Sequence, residues 1–162
     1  MLNTDVLSEA ESILALARDR KFQLVTAESC TGGLIAAALT AIAGSSDVVD
    51  RGFVTYSNEA KAEMLGVPVD MLAEHGAVSE PVARAMAYGA LVNSLADVSV
   101  AVTGVAGPGG GSAEKPVGLV HLAVAKRLNS VVRTRREVFP GDRTDVRTAT
   151  VLTAFAMLRD II

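Results

Sequence analysis

The sequence predicts an α/β fold: a single-domain α/β/α sandwich around a mixed, mostly parallel sheet with a late antiparallel hairpin. Three observations predict it. Helix-periodic segments alternate with short apolar runs as far as Thr103. Two strand-like runs, Val117 to Ala125 and Val131 to Phe139, are separated only by a turn at Arg127 to Ser130. Half of the 162 residues are hydrophobic but only 4% are aromatic. The core must therefore be built from Ala, Val, Leu and Ile, which suits buried sheet and tightly packed helices.

Each element follows in order. Asn3 or Thr4 can cap a first helix to about Arg20, with Val6, Leu7, Ile13, Leu14, Leu16 and Ala17 near helical spacing. Phe22 to Ala27 reads as a buried strand. Gly33 to Ala43 is Ala-rich and reads as a helix, and Gly44 to Asp47 as a loop. Gly52 to Ser57 looks like a second strand. Ser57 or Asn58 can cap a short helix to Leu65, which Gly66 ends. Pro68 to His75 is a further helical segment. Ser79-Glu80-Pro81 starts a helix to about Leu95. Val98 to Thr103 is a third strand, rich in β-branched residues. Gly104 to Pro116 is a glycine-rich loop. After the two late strands, Pro140-Gly141-Asp142 opens a helix to the C-terminus. No repeat, linker or low-complexity tract interrupts the chain, so residues 1–162 read as one domain.

Charge and cysteine usage narrow the function classes. The formal net charge is -3, with 20% charged residues. Nucleic-acid binding usually demands a clearly basic surface, so no such partner is expected. The one cysteine, Cys30, excludes an intrachain disulfide. No apolar run reaches membrane-spanning length, and the first residues lack the pattern of a signal peptide. A cytoplasmic protein without a membrane partner is the expectation. The two histidines, His75 and His121, have no companion ligand at a recognised spacing, so neither metal nor cofactor is expected. Arg133, Arg135 and Arg136 read as a solvated strand edge.

Four constellations could carry chemistry. The first is Glu28-Ser29-Cys30-Thr31-Gly32-Gly33, between a strand and a helix. Free amides at a helix start can hold an anion or an oxyanion, and a hydroxyl beside them can act as a nucleophile. The alternative is an ordinary cap made by Ser29 or Thr31. Cys30 is a rival nucleophile, although no His stands near it in sequence. The second is Thr55-Tyr56-Ser57-Asn58-Glu59-Ala60-Lys61, again a strand end running into a helix start. If the two strands run parallel, Ser29 and Tyr56 emerge on one rim, where α/β sheets collect ligands. A partly buried Lys61 could lose its proton and serve as base to a serine; otherwise it is a solvated lysine beside Glu59 and Glu63. The third is the loop from Thr103 and Gly104 through Gly107 to Ser112. Its amides could cradle a phosphate or carboxylate, but it matches neither the P-loop nor the dinucleotide fingerprint. The fourth is Phe139 to Arg147. Arg143 and Arg147 share a helix face and suit a phosphate, unless Asp142 and Asp145 pair with them.

Together these segments resemble the nicotinamide-nucleotide amidohydrolase family, also called the CinA C-terminal domain family. The resemblance covers roughly residues 5 to 160. It rests on six ordered motifs: Ala27 to Gly33, Arg51 to Lys61, His75 to Ser79, Thr103 to Pro108, Lys115 to Gly118, and Phe139 to Arg143. It implies deamidation of nicotinamide mononucleotide to nicotinate mononucleotide and ammonia, without a metal. It also implies Ser29 as nucleophile, with Lys61 and Tyr56 assisting, and a dimer or larger assembly. The substrate-binding set expected around them starts with Glu28, Cys30, Thr31 and Gly32, whose backbone from Cys30 to Gly32 would hold the oxyanion. Thr103, Gly104, Gly107 and Arg143 complete it, with the loop and Arg143 facing phosphate and ribose. The rivals are a non-catalytic nucleotide-binding or competence-associated module, and an amidase of the same chemistry acting on another small amide.

Overall fold

The structure, a computed structural model, describes residues 2–162. Its helices are α1 (Thr4–Arg20), α2 (Leu34–Thr40), α3 (Asn58–Leu65), α4 (Val69–His75), α5 (Glu80–Val92) and α6 (Arg143–Ile161). Its strands are β1 (Leu24–Glu28), β2 (Val49–Val54), β3 (Val98–Gly104), β4 (Leu119–Lys126) and β5 (Val131–Val138). They form one sheet in the order β2-β1-β3-β4-β5. β1 pairs in parallel with β2 and β3, while β3–β4 and β4–β5 are antiparallel. Four strands thus point one way and β4 alone runs against them.

Side-chain alternation along the strands divides the core into two layers. Val98, Val100 and Val102 of β3 and Val120, Leu122 and Val124 of β4 face the layer of α1, α2 and α6. Ile13, Leu39 and Phe155 are fully buried there, each side chain contributing about 2 kcal/mol by its burial. The opposite face carries Ala27, Ala101, Ala123 and Ala125 under α5, with Leu65 and Leu72 from α3 and α4. Small residues let α5 settle closely onto the sheet. Its contact with α3 is closer still: a Cβ on Gly89 would lie 1.9 Å from the Leu65 carbonyl oxygen.

The helix caps follow from local chemistry. The Asn3 side chain accepts from the Val6 amide, and Ser57 accepts from the Ala60 amide. Gly66 closes α3 at φ 66°. Asp142 and Asp145 form a reciprocal capping box at α6.

Two details depart from the sequence expectation. The second strand spans Val49–Val54 rather than Gly52 to Ser57, because Val49 pairs with Leu24 and the ladder is set from that end. The antiparallel arrangement starts one strand earlier than expected. Since β3 pairs with β4, the glycine-rich segment is the loop of a wide hairpin.

Candidate active site

The carboxyl ends of β1, β2, β3 and β5 share a rim, and β4 starts there. The chain order reverses around β1, so the crevice outside β1 and β3 is the expected ligand position. Ladder hydrogen bonds continue past the strand ends and fix the neighbours. The Ser29 amide donates to the Val102 carbonyl at 3.0 Å, and the Thr55 amide donates to the Glu28 carbonyl at 2.9 Å. Ser29 and Thr55 therefore stand side by side. Ser57 then starts α3, which turns Lys61 back toward them. Lys61 Nζ donates to the Thr55 carbonyl at 2.7 Å and to Ser29 Oγ at 3.1 Å.

Lys61 is only 1% exposed. It forms no ion pair with a carboxylate among the described residues. Burial lowers its pKa, and the nearby Cys30 opposes this in part. A charged ammonium loses hydration in such a site without gaining a counter-charge, which shifts the balance toward the neutral amine. The neutral amine can keep one N–H on the Thr55 carbonyl and accept the Ser29 hydroxyl on its lone pair. Cys30 is governed by the same burial with the opposite result. Its thiol is pushed up to about 12, chiefly by desolvation with the charge of Glu28 adding to it, against its own backbone amide, Arg147 and Lys61. A thiol that remains protonated is a poor nucleophile.

The cleft around Ser29 has a volume of about 300 Å³. Ser29, Cys30, Tyr56 and Lys61 form its floor and one side. Thr103, Gly104, Gly107 and neighbouring loop residues form another, and Ala77 and Val78 a third. Arg143 crosses its mouth: Nη1 donates to the Gly107 carbonyl at 2.9 Å and Nη2 to the Tyr56 hydroxyl at 3.0 Å. Neither acceptor carries charge, and the guanidinium forms no ion pair at the opening among the described residues. Arg147, one turn later, instead donates to the Thr31 carbonyl at 2.7 Å.

Three residues of the expected binding set do not line this cleft: Glu28, Thr31 and Gly32. Glu28 is fully buried and turned into the start of α2. Its carboxylate accepts from Thr31 Oγ1 at 2.6 Å and from the amides of Gly33, Ile35 and Ala36 at 3.2, 3.0 and 2.8 Å. The helix start is thus filled by the protein's own anion rather than left open for a ligand. Gly33 precedes the helix at φ 96°, a conformation that glycine adopts without strain. The Gly32 amide donates to the Ser29 carbonyl. Among the described residues, the Cys30 and Thr31 amides donate to no carbonyl and no carboxylate. The Tyr56 hydroxyl sits on Arg143 and not on Lys61 or Ser29, and the residue is 61% exposed. Sequence reasoning missed the place of Ala77 and Val78. The short segment Gly76 to Ser79 carries no chemical side chain except Ser79, and its approach to the end of β3 is purely tertiary. The part played by Glu28 had a sequence signal, an acid just ahead of a glycine-led helix start.

The fold and cleft define an α/β protein with an open cleft at the carboxyl ends of its parallel strands. The chain belongs to the CinA C-terminal domain family, whose match covers residues 7–162. It is 52% identical over 147 residues to the Escherichia coli K12 protein named nicotinamide-nucleotide amidohydrolase PncC, covering 91% of this chain and 88% of that one. It is 52% identical to a CinA-like protein of Geobacter sulfurreducens, covering 91% of this chain but 35% of that longer protein. Among solved structures, the competence/damage inducible protein from Agrobacterium tumefaciens superposes with a TM-score of 0.96 at 54% identity, covering 99% of this chain and 97% of that one. Among the described residues, no helix is long and apolar enough to cross a membrane, and no group of three or more His, Cys, Asp or Glu could hold a metal ion.

Proposed function

We propose that the chain hydrolyses the carboxamide of nicotinamide mononucleotide, releasing nicotinate mononucleotide and ammonia, with Ser29 as nucleophile and Lys61 as base. The observation that carries the reading is the 3.1 Å contact between the Ser29 hydroxyl and a buried lysine amine that forms no ion pair among the described residues. The name of the E. coli relative supplies the substrate.

The steps balance as follows. Neutral Lys61 takes the Ser29 proton as Oγ bonds to the carboxamide carbon. The oxyanion is held by the amide of Cys30, which lines the cleft and has no carbonyl or carboxylate acceptor among the described residues. The C–N bond then breaks, and Lys61 returns the proton to the departing ammonia. Water attacks the acyl-enzyme with its proton going to Lys61, and the Ser29–carbonyl bond breaks with return of that proton to Oγ. The geometry favours direct transfer between Lys61 and Ser29 over a relay through Tyr56, whose hydroxyl is occupied by Arg143. Tyr56 and Arg143 then serve the pyridine and phosphate ends of the substrate. The working protein is cytoplasmic and a dimer or larger in this reading.

Ammonia release from nicotinamide mononucleotide tests the assignment. Ser29→Ala should abolish it, and Cys30→Ala should retain most of it. Loss on Cys30→Ala with retention on Ser29→Ala would sink the serine mechanism. Lys61→Ala should cost at least ~100-fold in kcat.

A further inference from the structure

Two sequence motifs have no part in the chemistry above: His75 to Ser79 and Lys115 to Gly118. The structure joins them. The segment between α4 and α5 is irregular, and only its last carbonyl, that of Ser79, accepts from a helix, through the Ala83 amide. Three consecutive carbonyls are instead held by three side chains from separate places. Lys115 Nζ donates to the His75 carbonyl at 2.6 Å. Ser79 Oγ donates to the Gly76 carbonyl at 2.8 Å. Thr103 Oγ1, at the end of β3, donates to the Ala77 carbonyl at 2.9 Å. Gly76 has φ 73°, and a Cβ there would lie 2.8 Å from Lys115 Nζ, so this lysine contact also needs glycine beneath it.

The amides show the complement of this pattern. Gly76 donates back to Leu72. Among the described residues, the amides of Ala77 and Val78 donate to nothing, and both residues line the cleft. Lys115 is itself fixed: its amide donates to Ser112 Oγ, and its carbonyl accepts from the Ser112 amide. Its ammonium forms no ion pair with a carboxylate among the described residues, so its charge is spent on a backbone dipole. Arg143 fastens the same loop to Tyr56 through the Gly107 carbonyl. The glycine-rich loop is thus strapped to both sides of the cleft.

We propose that Lys115 is a positioning residue that ties the glycine-rich loop to the Gly76–Val78 wall, holding the unpaired amides of Ala77 and Val78 ready for acceptor oxygens of the bound nucleotide. This rests on the mononucleotide reading of the cleft. It assigns Lys115 to substrate binding rather than to the bond-breaking step. Removing the strap should raise KM and leave kcat nearly unchanged, because the Ser29–Lys61 pair lies on separate elements.

The test uses calorimetry with nicotinamide mononucleotide on Ser29→Ala protein, which binds without turnover. Adding Lys115→Met should weaken binding by about tenfold, the effect of one charge-assisted hydrogen bond on preorganisation. Lys115→Arg should restore most of the affinity. In the otherwise native protein, Lys115→Met should raise KM by a similar factor with kcat within about twofold. Thr103→Val compared with Thr103→Ser provides a second pair should the lysine variant fold poorly. Unchanged affinity in Lys115→Met overturns the proposal, as does a loss of affinity that follows thermal stability and is not rescued by Arg. Binding that depends on Lys115 in a protein that releases no ammonia would overturn the catalytic reading and keep the wall. Absence of mononucleotide binding in the parent overturns both.

Discussion

Lys61 is a buried cation site without a counter-charge among the described residues. A lysine with 1% exposure and no carboxylate partner is costly when charged. Its folded pKa is lowered from the usual 10.5, whereas the unfolded chain keeps the usual value. Between the two values the unfolded state binds the extra proton, so stability rises with pH across that window and is lower beneath it. Lys61→Met should remove this slope, as urea denaturation across the window would measure. A native protein whose stability is flat there would contradict a neutral buried amine. Activity follows the same titration: kcat/KM should rise with pH through the lowered pKa as the amine becomes a base. Burial acts on Cys30 in the same sense, favouring the neutral form of each group: it raises the thiol and lowers the amine.

Two contacts decide the geometry at the scale of the elements. Glu28 closes the α2 start with four accepted hydrogen bonds and so shapes the turn that presents Ser29. Glu28→Gln sets an NH₂ group against N–H donors and should cost about 2 kcal/mol in urea denaturation. A stability unchanged by Gln would mean that the carboxylate is dispensable there. The α3–α5 crossing depends on Gly89, and α3 carries Lys61. Gly89→Ala places a methyl group 1.9 Å from the Leu65 carbonyl. It should lower stability by roughly 3 kcal/mol, visible as a fall in Tm. Activity should fall with it if α3 is displaced. The elements themselves were largely legible in the sequence. Asn3, Ser57, Gly66 and Asp142 sit at helix ends because their side chains or backbone freedom answer a purely local need. β2 was not legible to the same accuracy. It is an edge strand with much of its surface exposed, so its apolar pattern is weak and its register comes from β1.

For the whole molecule, the site exists because four strand ends and the start of β4 meet on one rim. Arg143, from the last helix, reaches the loop after β3 and the tyrosine after β2. Its uncompensated charge predicts discrimination for phosphate. Arg143→Met should raise KM for the mononucleotide far more than for its riboside, by about tenfold or more for the loss of a charge-assisted contact. Equal effects on both substrates would remove Arg143 from phosphate recognition. The sequence by itself determined the alternation of helices and strands, the caps, the aromatic-poor core and the motifs that mark this family. Those features depend on neighbours a few residues away, or on residue types that stay visible in the chain. Only the tertiary structure decided that Lys61 meets Ser29 across thirty-two positions, that Glu28 closes the start of α2, and that Ala77 and Val78 line the cleft. Each of these depends on which strands become neighbours and in what register. Register is set by the burial of whole faces, so no single segment contains it.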